Sequence, residues 1–518
     1  MNELLGLFTS AAFPNLILVP LLASPIIYLA GRLVVINSKR TKIGGPVWLV
    51  RVLALLAILV TWSFYVPSLQ AFLAGHSQVF GVQAIWMRVD GISLLLTGTA
   101  LTLGTAVVLY SGPYMAGEVG EEKYYAMLLA MIGIIIGMGA AGDLFNLWVW
   151  FEAMAVSSYL LVIFYREEPA SLEAGMKYIV QSAAGSVLVL IGIALVLSTT
   201  GVLDISVLQS TVAGAAQFRS VLAAAGVLFV IGFGVKVAIV PLHTWLPDAH
   251  SQAPSGISAM LSGIVIEAGL IAMLRALSVT GMSVTWGVVL MVFGAVNILY
   301  GNLLALRQTK VKRLLAFSSL SHIGYMLLGL GIALQSGVAL GAQGAFFHLF
   351  NHMLMKGLAF LAVGALMYAL FLTSGVQGSH KALDISDLAG AAKSYPLAAL
   401  ALSIAVLGLG GLPPLAGFMS KWQIFVAGFD TKNIWIMALV VFAALNSVLS
   451  LAYYAPLVNV MYREKPSALM QTGKRLPFVM QLSLAILLTL VVLLGFMPGL
   501  MDWLTVPASH IFITMFKP

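Results

Sequence analysis

Eight ionisable side chains lie inside long apolar stretches of this 518-residue sequence. A lysine or aspartate at the centre of a bilayer costs about 2.5 to 3.5 kcal/mol on insertion scales, so such residues usually face one another or a hydrated path. Carboxylates, imidazoles and amines that face one another can exchange protons. The sequence therefore predicts a proton relay at mid-membrane depth, formed by Glu152, Lys236, Glu267, His322, His348, His352, Lys356 and Lys421.

Lys236 lies in the stretch IGFGVKVAIVPLHTWLPDAHSQAPSG, at residues 231–256. Three prolines, Pro241, Pro247 and Pro254, follow it, and proline removes a backbone donor and interrupts a helix. Helices that break at membrane depth commonly mark ion sites. We expect a broken helix here, with His243 and Asp248 as secondary candidates for the relay.

Glu152 and Glu267 are the two carboxylates of the row, each near the middle of an apolar segment. A buried carboxylate either has a cationic partner or is neutral, and Lys236 is the natural candidate for that partner. A lysine between two glutamates can hold either one ionised, which would couple their proton affinities. The alternative for Glu152 is a protonated structural residue in a helix interface.

The histidines occupy two later segments. His348, His352 and Lys356 follow one another at four-residue spacing and so fall near one helical face, while His322 belongs to the segment before. Histidines four residues apart also occur in zinc sites, but no Glu or Cys ligand accompanies these and HExxH is absent, so we expect no metal site. For His322 the alternative is a hydrogen-bonded core histidine.

Lys421 repeats the pattern of Lys236, because Pro413 and Pro414 interrupt the apolar segment that contains it. Interrupted segments at corresponding positions in two halves indicate an inverted repeat. We predict two inverted five-helix repeats, each with a proline-broken helix, at residues 124–278 and 284–461.

Composition defines the elements that must position these residues. The chain is 61% hydrophobic and 8% charged, with a mean hydropathy of +1.03, against about 25% charged residues in soluble domains. Cysteine is absent, which excludes disulfides, thiolate-held clusters and a cysteine nucleophile. We predict an all-α polytopic membrane protein, a single transmembrane domain over residues 1–518, with about fourteen helices. The segments are 13–34, 50–68, 90–110, 124–141, 144–165, 176–199, 220–240, 256–278, 284–305, 312–333, 340–372, 395–428, 433–461 and 477–500.

The residues behind the net charge of +8 are distributed unevenly among the predicted loops. Most of the 26 lysines and arginines fall after odd-numbered segments, so these loops are expected on the cytoplasmic side and both termini on the outer side. The excess of positive charge therefore reflects the orientation of the chain in the membrane, and no nucleic-acid partner is expected. The first apolar run is expected to be an uncleaved span of a bacterial or archaeal-type cytoplasmic membrane. Asp90 is expected to cap its helix.

Several of these motifs resemble those of a known family of membrane proteins. GDLFNLWVWFEAMAVSSYLL, the stretch around Lys236, VKRLLAFSSLSHIGYMLLGL, FHLFNHMLMKGLAFL and GLPPLAGFMSKWQIF resemble the antiporter-like membrane subunits of respiratory complex I, Mrp antiporters and membrane-bound hydrogenases. The resemblance covers roughly residues 90–460. It implies a mid-membrane charge row with Glu152 at a subunit interface, Lys236 at its centre, His348, His352 and Lys356 as linking residues and Lys421 at the exit. Glu267 departs from the pattern, because many relatives have lysine there.

The resemblance also implies partners: other membrane subunits, including antiporter-like paralogues, and peripheral redox subunits. No GxGxxG motif follows a predicted strand and no GxxxxGK[ST] motif is present, so we expect no cofactor in this chain and place the redox cofactors in those partners. The expected function is proton translocation within a complex I-like (NADH:quinone oxidoreductase-type) assembly. The alternatives are an Mrp-type Na⁺/H⁺ antiporter subunit, a transport-silent scaffold and a transporter of an organic substrate.

Overall fold

The computed structural model describes residues 2–41, 48–76, 78–82, 85–212, 216–372, 382–467, 470 and 473–516. Within these residues, thirteen helices are long and apolar enough to cross a membrane. The first eleven helices are α1 Asn2–Thr41, α2 Trp48–Leu73, α3 Gly91–Tyr114, α4 Glu121–Ala140, α5 Leu144–Val162, α6 Pro169–Thr200, α7 Ile205–Val212, α8 Arg219–Val237, α9 Trp245–Gln252, α10 Ser255–Met260 and α11 Ile266–Ser278. The others are α12 Trp286–Ala305, α13 Val311–Ser336, α14 Ala339–Met367, α15 Ala391–Ser394, α16 Pro396–Gly410, α17 Ala416–Asp430, α18 Ile434–Arg463, α19 Phe478–Phe496 and α20 Asp502–Phe516.

The predicted all-α polytopic membrane protein is confirmed. Helices α10 and α11 join through a π-helical turn, Leu261–Val265, into one span. The predicted segment 395–428 is divided into the two short helices α16 and α17. The division of the chain into two inverted repeats stays a prediction, as does the side of the membrane on which the termini lie; Met1 and Pro518 themselves are outside the described residues.

The first break follows α8, where Ala238 adopts a left-handed backbone conformation with φ of 60°. Asn297 of α12 hydrogen-bonds to the interrupted backbone: its Oδ1 accepts a hydrogen bond of 2.9 Å from the amide of Val240. Because an unpaired amide is costly inside a membrane protein, this buried asparagine makes the break tolerable. The chain then continues as the short helix α9.

Two features outside the predicted spans were not expected. The strands β1 Gln78–Val82 and β2 Ile85–Val89 form an antiparallel hairpin between α2 and α3. The fifteen-residue helix α20 packs against α3 and α14. Asp90 caps α3 as predicted, through a 2.8 Å hydrogen bond from the Ser93 amide, and additionally pairs with the buried Arg275 at 2.9 Å.

The core lies along the span Ser255–Ser278 and helices α13 and α14, whose most apolar stretches are almost wholly buried. Helix α12 approaches α13 closely, since a Cβ at Gly294 would lie 2.8 Å from the carbonyl oxygen of Gly324. Small residues permit such contact between membrane helices. The ionisable residues from Glu267 to Lys356 are therefore carried by the most enclosed helices of the molecule.

Candidate functional site

Lys236 lies in the last turn of α8 and is fully buried. Its Nζ donates to Tyr178 Oη at 2.6 Å and to Ser158 Oγ at 3.3 Å, and lies 4.4 Å from the centroid of the Tyr178 ring. A Cβ at Gly269 of α11 would lie 3.2 Å from Lys236 Cγ, so this glycine leaves room for the lysine stem. The lysine thus bonds to two neutral hydroxyl groups.

Tyr178 is fixed by the helix that follows the break. Trp245, at the start of α9, stacks on Tyr178 with ring centroids 3.9 Å apart and an interplanar angle of 3°. The same indole donates a 2.7 Å hydrogen bond to the carbonyl oxygen of Val235, next to Lys236. Helix α9 therefore holds both the hydroxyl partner of Lys236 and the last turn that carries it.

Glu152 lies on α5 and is half-buried. Its Oε1 is buried and has no hydrogen-bond partner among the described residues. An electrostatic attraction connects Glu152 with Lys236, but the lysine's hydrogen bonds go to Tyr178 and Ser158 instead. The direct pairing expected for Lys236 is therefore absent from the described part of the chain.

The face of α5 that carries Glu152 is otherwise apolar and open. Phe145, Val149, Val156 and Leu160 are exposed along it at helical spacing. A carboxylate on an open apolar stripe is costly in contact with lipid. One carboxylate thus interrupts the open apolar stripe on this face of α5.

Glu267 and His352 form a fully buried pair at the centre of the molecule. His352 Nδ1 lies 2.7 Å from Glu267 Oε1, and the pair joins α11 to α14. The second oxygen of Glu267 and the second ring nitrogen of His352 have no hydrogen-bond partner among the described residues. Each member therefore retains one atom that could accept or pass a proton.

His322 and His348 form the next connected unit. His322 Nδ1 lies 3.0 Å from His348 Nε2, and His348 Nδ1 lies 2.8 Å from Ser420 Oγ of α17. The His322 ring also stacks on His352, with centroids 5.1 Å apart. Ring contact thus links the Glu267–His352 pair to the unit that ends beside Lys421.

Lys356 and Lys421 are both buried. Lys356 Nζ donates to the Leu315 carbonyl oxygen at 2.6 Å and to Ser318 Oγ. Lys421 Nζ donates to the Leu409 carbonyl oxygen and to Ser447 Oγ, both at 2.8 Å. Since Leu409 is in α16 and Lys421 in α17, this lysine reaches back across the second break.

The secondary candidates lie nearer the surface. Asp248 of α9 accepts from Lys177 at 2.9 Å and from Arg313 at 2.5 Å. Burial alone would raise the pKa of Asp248, but these two cations outweigh it and hold that pKa below its ordinary value. His243 is half-buried, with its ring 6.4 Å from that of Phe317. Asp248 is thus an ion-pair partner of α6 and α13 rather than a member of the buried row.

The four prolines mark the two breaks. Pro241 is exposed between α8 and α9, and Pro247 is buried in the first turn of α9. Pro413 and Pro414 are exposed between α16 and α17. They separate helices and contribute no titratable group.

Two buried residues beside the row were missed as candidates. His250 of α9 is fully buried, stacks on Phe360 at 4.8 Å, and both its ring nitrogens lack partners among the described residues. Lys312, in the first turn of α13, is buried and donates to the Ala253 carbonyl oxygen at 2.9 Å. Electrostatic interactions connect His250 with both Lys312 and Lys356. These residues extend the row toward the end of the molecule where Asp248 lies.

The arrangement can carry a proton in steps. Within each hydrogen-bonded unit the imidazoles can donate at one nitrogen and accept at the other. Between units the free atoms of Glu267, His352 and His250 require a ring rotation or a water molecule to complete the transfer. The structure brings Glu267, His322, His348 and His352 together, while Glu152 with Lys236 and Lys421 occupy the two ends.

Comparison with known proteins identifies the family. Residues 141–450 match the model for the transmembrane region of NADH:quinone oxidoreductase and Mrp antiporters. The chain is 31% identical over 489 residues to subunit N of F420H2 dehydrogenase from Methanosarcina mazei, covering 91% of this chain and 96% of that one. It is 31% identical over 436 residues to NADH-quinone oxidoreductase subunit N of Desulfitobacterium hafniense, covering 80% and 82%.

A solved structure has the same fold. A chain of the membrane-bound sulfane sulfur reductase, an archaeal respiratory membrane complex, superposes with a TM-score of 0.81 at 26% identity, covering 98% of this chain and all of that one. The motifs that carry the buried row, from Glu152 to Lys421, lie inside the matched residues 141–450. The chain therefore belongs to the NADH:quinone oxidoreductase/Mrp antiporter transmembrane family.

Proposed function

We propose that this chain translocates protons as an antiporter-like membrane subunit of a complex I-like assembly. The observation that carries the proposal is the buried sequence of contacts from Glu267 through His352, His322 and His348 to Ser420. A static core has no need for four ionisable groups in mutual contact, because each is costly to bury. A proton path needs them.

The proposed route has a lysine at each end. Glu152 senses charge from a neighbouring subunit and changes the proton affinity of Lys236. The proton passes along Glu267 and the three histidines, with Lys356 setting their proton affinity, and Lys421 controls its release. His250 and Lys312 extend the same row toward the surface and serve as the entry branch.

The energy must come from outside this chain. Moving one charge across 100 mV costs about 2.3 kcal/mol. The matched relatives are subunits of an F420H2 dehydrogenase and of an NADH-quinone oxidoreductase. We assign the redox chemistry and its cofactors to peripheral partner subunits, and the open face of α5 to a neighbouring membrane subunit. The chain would lie in the cytoplasmic membrane with both termini on the outer side.

An Mrp-type sodium/proton antiporter subunit is the second candidate. One specific observation favours it: Glu267 retains a buried oxygen without a partner among the described residues, and carboxylate oxygens suit hard cations. A transport-silent scaffold is the third candidate function, and it predicts that the buried charges can be removed without functional loss.

Proton pumping by the intact complex in proteoliposomes tests these functions. Wild type is compared with Lys236→Ala and Glu267→Gln at a fixed electron-transfer rate, with and without sodium, and assembly is checked for each variant. We expect pumping to fall in both variants while the complex still assembles and to be independent of sodium. Sodium-dependent pumping would select the antiporter, and unchanged pumping would select the scaffold.

A further inference from the structure

A groove of about 780 Å³ opens on the surface between α1, α4 and α5, away from the buried row. Its walls are largely apolar and lie within the membrane spans; they include Pro25, Tyr28, Met127 and Leu160. Its mouth is formed by the turns that precede α4 and follow α5, and it carries charged residues. The groove is therefore amphiphilic, with apolar walls at membrane depth and charges at the interface.

One ion pair accounts for only part of the charge at the mouth. Arg166 pairs with Glu167 at 3.5 Å, and both side chains are mostly exposed. Glu118, Lys123 and Glu168 also line the groove, and none of them has an ion-pair partner within 4.0 Å among the described residues. Two carboxylates and one ammonium thus remain available to a ligand.

The carboxylates of Glu118 and Glu168 have no cationic partner in the part of the chain that the structure describes. Glu118 is half-buried in the turn before α4, and burial raises the pKa of its carboxyl. Glu168 precedes the first residue of α6, but its side chain makes no capping hydrogen bond. A ligand that brings a cation to this mouth would supply what both carboxylates lack.

The apolar walls lie at membrane depth and the charged residues lie at the interface, and this arrangement favours one class of ligand. An apolar chain must lie below the interface, and a headgroup with a hydrogen-bonding cation and a separate anion must lie at it. An anionic headgroup alone would meet a surplus of carboxylates. Tyrosine and phenylalanine side chains at the mouth, Tyr165 and Phe164, are typical of the headgroup level.

We propose that this groove binds one zwitterionic phospholipid with a primary ammonium, such as phosphatidylethanolamine. The ammonium lies between Glu118 and Glu168, the phosphate interacts with Lys123, and an acyl chain follows the apolar wall formed by Met127 and Leu160. The lipid packs against the end of α5, two turns beyond Glu152, at the edge of the partner-facing stripe. This site does not depend on the proton route.

The test uses the intact complex in nanodiscs that contain equal amounts of phosphatidylethanolamine, phosphatidylcholine and phosphatidylglycerol. Bound lipids are counted by native mass spectrometry after detergent release. We expect one phosphatidylethanolamine to be retained per copy of this chain, and the double variant Glu118→Gln/Glu168→Gln to lower its preference over phosphatidylcholine by about tenfold. Phosphatidylcholine serves as the contrast because its quaternary ammonium cannot donate hydrogen bonds.

Two further variants locate the site. Met127→Trp fills the groove and should abolish retention, whereas Lys393→Gln, which removes an exposed lysine elsewhere, should leave retention unchanged. Retention that survives Met127→Trp places the lipid elsewhere and overturns the proposal. Equal binding of the two zwitterionic lipids, a preference for phosphatidylglycerol, or a partner-subunit helix seated in the groove in a structure of the assembly would overturn it as well.

Discussion

Glu267 and His352 share a short contact that can hold a proton on either side. The neutral form, carboxylic acid with imidazole, and the ionic form, carboxylate with imidazolium, contain the same number of protons. In the ionic form the two charges of the pair balance each other, so the pair needs no other counterion. One further proton converts the pair into a cation, which can pass that proton to His322 once a ring rotation or a water molecule connects the two rings.

Replacing Glu267 by glutamine should remove the charge and keep the shape. A hydrogen bond to a charged group contributes about 1.5 to 3 kcal/mol, so the proton-transfer rate should fall about ten- to a hundredfold if the loss appears in the barrier. The rate of proton pumping in proteoliposomes measures this decrease. Glu464→Gln, at the exposed end of α18, is the matched control and should pump normally. Equal pumping by the two variants would contradict a role for Glu267.

His250 should matter for proton entry because both its nitrogens are free to exchange. His250→Ala should lower pumping by about tenfold or more, since a positioned proton-transfer group typically contributes at least that much. Assembly should be retained, and His510→Ala, at an exposed position on α20, provides the comparison. If entry bypasses this residue, the pumping rate of the two variants will be the same.

At the scale of the element, Asp248 connects three helices. Its low pKa means that it stays ionised at neutral pH. A carboxyl group whose folded pKa is depressed stabilises the fold above its unfolded pKa, and that contribution is lost as the pH falls through the folded value. The ion pairs of Asp248 with Lys177 and Arg313 should therefore persist between about pH 5 and 8.

Asp248→Asn should accordingly reduce pumping by a similar factor at every pH in that range, because α9 loses its attachment while no titrating group is removed. Asp248→Glu keeps the charge and should restore most of the activity. Pumping rates across the pH range distinguish the cases: a pH optimum displaced by Asp248→Asn would mean that Asp248 itself carries the transferred proton.

Asn297 stabilises the first break. Asn297→Ala would leave the Val240 amide without its partner and should cost about 1 to 3 kcal/mol of stability. Thermal inactivation of the purified complex measures the loss. Ser198→Ala, on an exposed turn of α6, serves as the control. A variant as stable as wild type would show that another group accepts the hydrogen bond from the Val240 amide.

The two broken helices and the burial of the ionisable residues from Lys236 to Lys421 could be predicted because a charge or a proline inside an apolar run is a strong local signal. Their role in proton transfer stays a prediction. Asn297 and Tyr178 gave no such signal, since uncharged polar and aromatic residues are common in membrane helices. His250 gave a weaker signal because it lies in a proline-interrupted stretch with polar residues, between two apolar runs, and so resembles part of a loop. The bond between His352 and Glu267 depends on how distant helices pack, which local patterns do not encode.

At the scale of the whole molecule, the open stripe on α5 predicts where a neighbouring subunit sits. The sequence has no cysteine, so a single introduced cysteine is the one thiol of this chain. Val156→Cys should cross-link to another membrane subunit of the purified complex. Val292→Cys, exposed on α12, is the control and should react mainly with lipid-soluble reagents. Cross-linking at Val292 but not at Val156 would contradict the assignment of this face.

Helix α9 has only eight residues, yet it touches the aromatic partner of Lys236 through Trp245, the surface cations through Asp248 and the buried row through His250. Few substitutions can satisfy three such demands at once. In a library that samples every amino acid at every position, this short helix should tolerate fewer changes per residue than the long spans around it, and compensating second changes should map to α6 and α13. This eight-residue helix would then be the part of the chain least free to drift during evolution.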